Sequence, residues 1–429
     1  MTGEQTLIGR AAVGVAMAAC SLVGWRLAPR ITLDRDRFCR RLLLVYALSR
    51  LALFALAFLV FHLEPRGDIH EYMDEGNGVL AGKHIYRDYR SVHAPLEPFL
   101  MGAMLRIHHS PRTIIFFSIL FDVAALWLWM KVGRHFLSET TLKRAGILVL
   151  FNPTGLLTVA LDGSVNSLVA LLLALGVYAE LQRRELLASI WVALGSAAVR
   201  FLTLMHAPGY FFAARRKVLW ASGFVFTLLL VYGGFAVARV PVLFPLTAEK
   251  NHRTANNLTY LVELLSGHGL GQRLPDLLLA CAWAGVVLLT MVSMRRIAHD
   301  RPMVLKLLAI SLVAELLTIF VFSKSMWDRY LVMTMFPLCF IVAELPWRRV
   351  WIYAAWSAVC VYQASFWASI SHFAIATETH VLLIHGNRMA IVLACGEVVM
   401  VSGSIYLFYV CVRKLLYPGN AEITQAASQ

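Results

Sequence analysis

The residues of this chain whose types suit chemistry gather in one stretch, 64–112. It reads Gly67-Asp68-Ile69-His70-Glu71-Tyr72, then Gly82-Lys83-His84-Ile85-Tyr86, then His93-Ala94-Pro95-Leu96. A carboxylate such as Asp68 can take a proton from an attacking hydroxyl, while fixed positive charge stabilises the anion that leaves. Candidates for that charge are Lys324 and Arg329, where a turn meets an apolar run, and Arg200, which interrupts an apolar region between two short runs. Each has a plainer reading: Lys324 and Arg329 snorkel to the interface, and Arg200 neutralises Asp122 or Glu315. Asp162 and Asn166 flank a tight turn and suit the hydroxyls of a ligand, though Asp-Gly also favours turns for its own sake. Lys250, His252, Arg253, Asn256 and Asn257 form a polar, basic strip suited to an anionic headgroup.

Two familiar motifs fail on spacing. His70-Glu71-Tyr72-Met73-Asp74 has the outline of a zinc-protease helix but ends in Asp, and residues 76–83 resemble a phosphate loop with the spacing off by one and His84 after the lysine. His70, Glu71 and Tyr72 are kept as substrate-binding candidates. Asp74, Glu75 and Asp88 read as solvated or loop-organising acids.

The elements that must position these residues follow from composition. Of 429 residues, 59% are hydrophobic and only 15% charged, a share too apolar for a soluble domain to bury. At about 20 apolar residues per crossing the chain divides into 12–13 transmembrane helices, an all-α polytopic membrane protein with no room for a soluble catalytic head. Unbroken runs such as 42–63 exclude a β-barrel. The formal charge of +14 would point to nucleic acid in a soluble protein. Here the basic residues cluster in short loops, at 26–41, 131–144, 183–184, 215–217, 295–306, 348–349 and 413–414, which the positive-inside rule places in the cytoplasm. Nucleic acid is therefore not an expected partner.

Thirteen runs keep every basic cluster on one side: 11–25, 42–63, 114–130, 146–161, 168–181, 186–199, 201–213, 218–238, 277–292, 304–322, 330–345, 350–367 and 390–412. The opposite side receives 64–112, 239–275 and 371–388. A loop of about 50 residues exceeds what connection needs, and its apolar part, 96–107, is too short to cross and lies on the membrane or between helices. The expected organisation is an extra span with a basic loop (1–41), a catalytic membrane core (42–345), C-terminal helices (346–419) and a disordered cytoplasmic tail (420–429).

On these pieces the sequence resembles the GT-C superfamily, the polytopic glycosyltransferases that take sugar from a polyprenyl-phosphate carrier. The closest groups are glycosyltransferase family 87 and the glycosylphosphatidylinositol first mannosyltransferase. The match runs through Asp68 at the end of a span, Gly82 to Tyr86, His93 to Leu96, Asn152-Pro153, Asp162-Gly163 to Asn166-Ser167, Arg200 ahead of Pro208, Asn256-Asn257, and Lys324 to Leu331. His70 stands where several members carry a second Asp, Ala94 where a first Pro stands, and Arg200 where Lys is usual.

The resemblance implies a GT-C-like bundle with a long first catalytic outer loop. It implies Asp68 as catalytic base, Arg200, Lys324 and Arg329 on the donor phosphate, and substrate contacts from His70, Glu71, Tyr72, Asp162, Asn166, His252, Arg253, Asn256 and Asn257. The partners are a polyprenyl-phosphate sugar, a glycolipid or glycan acceptor, and the bilayer. No cofactor and no metal are expected, so transfer should survive chelation. The implied reaction is inverting transfer, of mannose first, outside the plasma (inner) membrane, or in the lumen of the ER in a eukaryote. The rivals are a transporter or flippase of a lipid-linked or anionic solute, favoured by Arg50, Asp122, Arg200, Glu315 and Glu397 within runs, and a lipid-linked polysaccharide polymerase or ligase.

Overall fold

A computed structural model describes residues 3–65, 67–198, 200–248, 253–369, 373 and 375–418. Every regular element among them is helical. The chain opens with α1 (Gly3–Leu27) and α2 (Arg35–Phe54), the latter running on into a wider π turn over Ala55–Val60. Two short helices, α3 (Ile69–Leu80) and α4 (Glu97–Ile107), fill the long first loop. Then come α5 (Pro111–Gly133), α6 (Glu139–Leu150), α7 (Pro153–Ala160), α8 (Asn166–Leu181) and α9 (Glu185–Ala198). A 3₁₀ turn over Phe201–His206 leads into α10 (Ala207–Ala213), followed by α11 (Lys217–Val237), α12 (Phe244–Ala248) and α13 (Leu258–Ser266). The remainder is α14 (Arg273–Arg296), α15 (Arg301–Phe322), a 3₁₀ turn over Asp328–Met333, α16 (Met335–Ala343), α17 (Trp347–Ser369), α18 (Ala376–Ile384) and α19 (Arg388–Leu416).

Seven of these helical stretches are long and apolar enough to cross a membrane, which makes the chain an all-α polytopic membrane protein. They are Leu7–Arg30, Arg35–Val60, Pro111–Gly133, Lys217–Val237, Arg273–Arg296, Arg301–Phe322 and Arg388–Leu416. The helix α15 is the axis: 94% of its apolar window is buried, as expected of a helix that is hydrophobic all round. In contrast, α11 turns Val225, Phe226, Leu229 and Leu230 outward, an apolar face suited to lipid tails. One hydrophobic cluster runs from Ala18 to Leu415, so the extra first helix and the C-terminal helices share the core of the segment between them.

Three of the thirteen apolar runs are broken helices, for a local reason each time. Pro153 cannot donate to the helix before it, and Asn152 caps the new start by accepting from the Gly155 N–H at 2.8 Å. Pro208 opens α10 after a 3₁₀ turn, and Pro337 stands in the first turn of α16 after another. The amphipathic segment 69–80 is likewise a helix inside the first loop. It packs closely on α4, because a Cβ on Gly76 would stand 3.1 Å from the Met101 carbonyl carbon.

Basic loops meet at one end of the bundle: Arg134 pairs with Asp36 at 2.6 Å, Glu344 with both Lys306 (2.6 Å) and Lys414 (2.5 Å), and Arg301 with Glu180 (2.6 Å). The first-loop residues meet Asp162, Arg200 and Arg329 elsewhere, at the far ends of the same helices. Cys39 lies on the basic side but is buried, so it cannot report on sidedness. In a cysteine-free background, Lys83→Cys in the exposed part of the first loop should react with an impermeant thiol reagent in intact cells, and the exposed Arg40→Cys should react only after lysis. The opposite pattern inverts the orientation.

Candidate functional site

Asp68 owes its position to a turn. Gly67 adopts φ +74°, a left-handed conformation open to glycine, and brings the chain round into α3. As the residue that starts α3, Asp68 could cap the helix, yet its side chain makes no capping bond. It forms an ion pair with Arg329 instead, and Tyr72 one turn later donates its hydroxyl to the same carboxylate at 3.5 Å.

Arg329 comes from the 3₁₀ turn that starts the α16 segment. Its guanidinium lies over the Trp327 ring at 4.5 Å, and its carbonyl accepts from the Asn166 side chain at 3.3 Å. Arg200 arrives from the extended break between α9 and α10, its guanidinium 5.2 Å from the centre of the Tyr330 ring. The Leu96 N–H donates to the Ala197 carbonyl at 3.1 Å, which holds the first loop against that break. There the Arg200 Nη2 lies 3.3 Å from the His93 Nε2. A guanidinium only donates, so the His93 Nε2 accepts and its Nδ1–H donates to Glu75 at 2.9 Å. Glu97, wholly buried, stands 3.7 Å from that Nδ1. Tyr86 fixes the segment by donating its hydroxyl to the His93 carbonyl.

The electrostatics separate two carboxylates. Burial alone raises the Asp68 pKa, but the ion pair with Arg329 and the charge of Arg200 overcome it and hold the group below its ordinary range. Glu71, one turn along, is raised by desolvation and by the charge of Asp68. The arrangement thus presents one firmly ionised carboxylate beside two arginines, with Asp68 and Arg329 each about one-fifth exposed and open to a ligand.

The other expected residues fall in different places. His70 and Glu71 lie exposed at the edge of this group, while Tyr72 is buried beneath it. Asp162 is taken by Arg10 at 2.6 Å, and Asn166 supports Arg329 through its backbone. Lys324 does not join Arg329, for its ammonium is paired with Asp276 at 2.9 Å. The polar residues before α14 are engaged within the protein. Arg253 bonds to Glu263 at 2.6 Å, the Asn256 N–H donates to Glu397 at 3.0 Å, and Asn257 caps α13 through the Tyr260 N–H at 2.9 Å. Lys250 and His252 lie outside the described residues.

The proposed internal partners of Arg200 are also taken. Asp122 meets Arg50 (3.7 Å) and Tyr46 (2.6 Å), and Glu315 meets His206 (2.9 Å). Sequence reasoning missed Arg10 and Asp328. Arg10 flanks the first apolar run, 11–25, and reads in the sequence only as a charge that helps to orient it. Asp328, beside Arg329, is pushed up to about 6 by burial and gave no signal beyond its neighbour.

No protein-family model matches this chain, and no curated protein sequence matches it.

The ion pair is open to a direct measurement. Because the folded pKa of Asp68 is lowered, the pair stabilises the protein above the ordinary carboxylate range and loses that contribution as pH falls through the folded value. At pH 7, Arg329→Ala strands a charged Asp68 and should lower Tm in detergent. The double variant Asp68→Asn/Arg329→Ala should lose less than the two single losses summed, by about 1–3 kcal/mol. Strict additivity would rule out the pairing.

Proposed function

We propose that this chain is an inverting glycosyltransferase that moves a sugar, mannose in the first instance, from a polyprenyl-phosphate carrier to a glycolipid or glycan acceptor on the extracytoplasmic side. One observation carries the reading: Asp68 from the first long loop and Arg329 and Arg200 from two distant helix breaks come together away from the basic end, with a surface open to a ligand. The resemblance of the surrounding motifs to the GT-C superfamily supplies the substrate class.

The chemistry follows from the charges. An acceptor hydroxyl attacks the anomeric carbon, its proton passes to the Asp68 carboxylate, and the bond from that carbon to the phosphate oxygen breaks. Polyprenyl phosphate leaves with the electron pair. It needs no proton, because a phosphate monoester has its second pKa at about 6, and it meets the guanidinium of Arg329 with that of Arg200 behind. One displacement inverts the anomeric centre. A carboxylate held at low pKa is a poor base, and the donor itself relieves this. Its phosphate competes with Asp68 for Arg329, so binding the anion loosens the ion pair and raises the basicity of the carboxylate. Tyr72, beneath, keeps the released group in place.

The transporter reading draws support from the helix breaks at Asn152, Arg200 and Trp327, since interrupted helices mark binding sites in secondary transporters. Its other support weakens, as Arg50, Asp122, Glu315 and Glu397 are occupied within the bundle. The two readings part on one experiment. Asp68→Asn should cut sugar transfer from radiolabelled polyprenyl-phosphate sugar by about 10²- to 10⁴-fold, with donor affinity kept. Arg329→Ala and Arg200→Ala should instead weaken donor binding, a charge-assisted contact being worth about 1.5–3 kcal/mol. Normal turnover in Asp68→Asn, with movement of labelled lipid-linked sugar across vesicles that depends on Arg200, gives the transporter reading the field.

A further inference from the structure

Behind the Tyr72 ring, away from Asp68, lies a second group of chemistry-bearing side chains. The ring centres of Tyr72 and His93 are 5.4 Å apart, and on the far side of His93 stand Glu75 from α3 and Glu97 from the start of α4. All three are buried, at 3% exposure for Glu75 and 0% for His93 and Glu97. A ligand atom from each lies within 4.8 Å of the other two. The feature that calls for explanation is Glu97. Both of its carboxylate oxygens are buried without a hydrogen-bond donor, and the second oxygen of Glu75 is in the same condition. A buried carboxylate without a donor is costly enough that native proteins rarely leave one so.

The geometry points to a divalent transition-metal site formed by the His93 Nδ1 and the carboxylates of Glu75 and Glu97. Ligands at about 2.0–2.1 Å around a tetrahedral ion stand roughly 3.3 Å from one another. The observed separations from Nδ1, 2.9 Å to Glu75 and 3.7 Å to Glu97, bracket that value. A donor set of one imidazole nitrogen and two carboxylates suits Zn²⁺ or Mn²⁺, whereas Ca²⁺ and Mg²⁺ take oxygens. The double charge also neutralises two buried acids. The three ligands tie α3 to α4 and to the His93 segment between them, so the ion clamps the loop that carries Asp68. Binding takes the Nδ1 lone pair and moves the imidazole proton to Nε2, where it faces the Arg200 guanidinium donor to donor. Loading the clamp therefore releases Arg200 from His93.

The site does not depend on the transferase reading, and metal content tests it without an activity assay. The purified full chain is stripped with chelator, incubated with ZnCl₂ or MnCl₂ separately, dialysed, and analysed by elemental mass spectrometry and thermal unfolding. The wild type should retain about one ion per chain with one of the two metals, and its Tm should rise by several degrees over the stripped form. Glu97→Gln keeps the size of the side chain but not its charge, and should lose both the ion and the rise. Glu75→Gln is the second variant should Glu97→Gln not fold. A wild type that keeps neither metal overturns the site, as do variants that keep as much as the wild type.

Discussion

Moving an ionised side chain out of water without a partner costs several kcal/mol, and that cost decides where the polar residues of this bundle sit. Arg50 lies against the Tyr46 ring and Asp122, His206 against Glu315, and Arg10 against Asp162. Each pair joins helices far apart in sequence, so neutralising charge also fixes which helices are neighbours. Two arrangements among the described residues stand apart from these pairs. The Asp68 and Arg329 pair is as open to solvent as Arg10 and Asp162, but a second arginine, Arg200, and the Tyr72 hydroxyl crowd the same carboxylate, and Glu97 is buried with no donor. Our two proposals, a bound ligand at the first and a cation at the second, address these two places.

Broken helices are the other half of the design. A continuous helix spends its backbone groups on itself and presents side chains only from its flanks. At Asn152-Pro153, before Pro208 and before α16, the chain leaves the helix, and the freed polar groups are met by side chains, as when Asn166 bonds to the Arg329 carbonyl. These interruptions let Arg200 and Arg329 approach Asp68 from different directions. They also place the arginines on turns whose conformation the neighbouring rings of Tyr330 and Trp327 restrain.

The apolar runs were legible because hydropathy is local: each run falls on a helix or on a pair of helices divided at a break. The breaks were legible only in part, since a proline marks where a helix stops without saying whether the run still crosses. Helix α3 was hidden within a loop, although Ile69, Tyr72, Gly76 and Val79 carry a helical spacing. Lys324 shows the sharper limit. Sequence order puts it five residues from Arg329, but its partner, Asp276, lies 48 positions away, and no local pattern announces that choice. The expectation of no metal came from His70, a near neighbour of Asp68 in sequence. Folding gathers Glu75, His93 and Glu97 instead, and an acid that reads as loop-organising on the page becomes a ligand candidate only when α3 meets α4.

The first long loop thus faces two ways. Its outer face offers Asp68 and Arg329 to a ligand, and its inner face is anchored through Tyr72, His93, Glu75 and Glu97. Arg200 is shared by both, being within reach of His93 on one side and close enough to Asp68 to lower its pKa on the other. The His93 ring and the Asp68 carboxylate thus share the field of one guanidinium. A loop built this way does more than carry a carboxylate to the membrane surface. In the site we propose, loading of the buried cluster acts on the face that carries Asp68 through one guanidinium, that of Arg200.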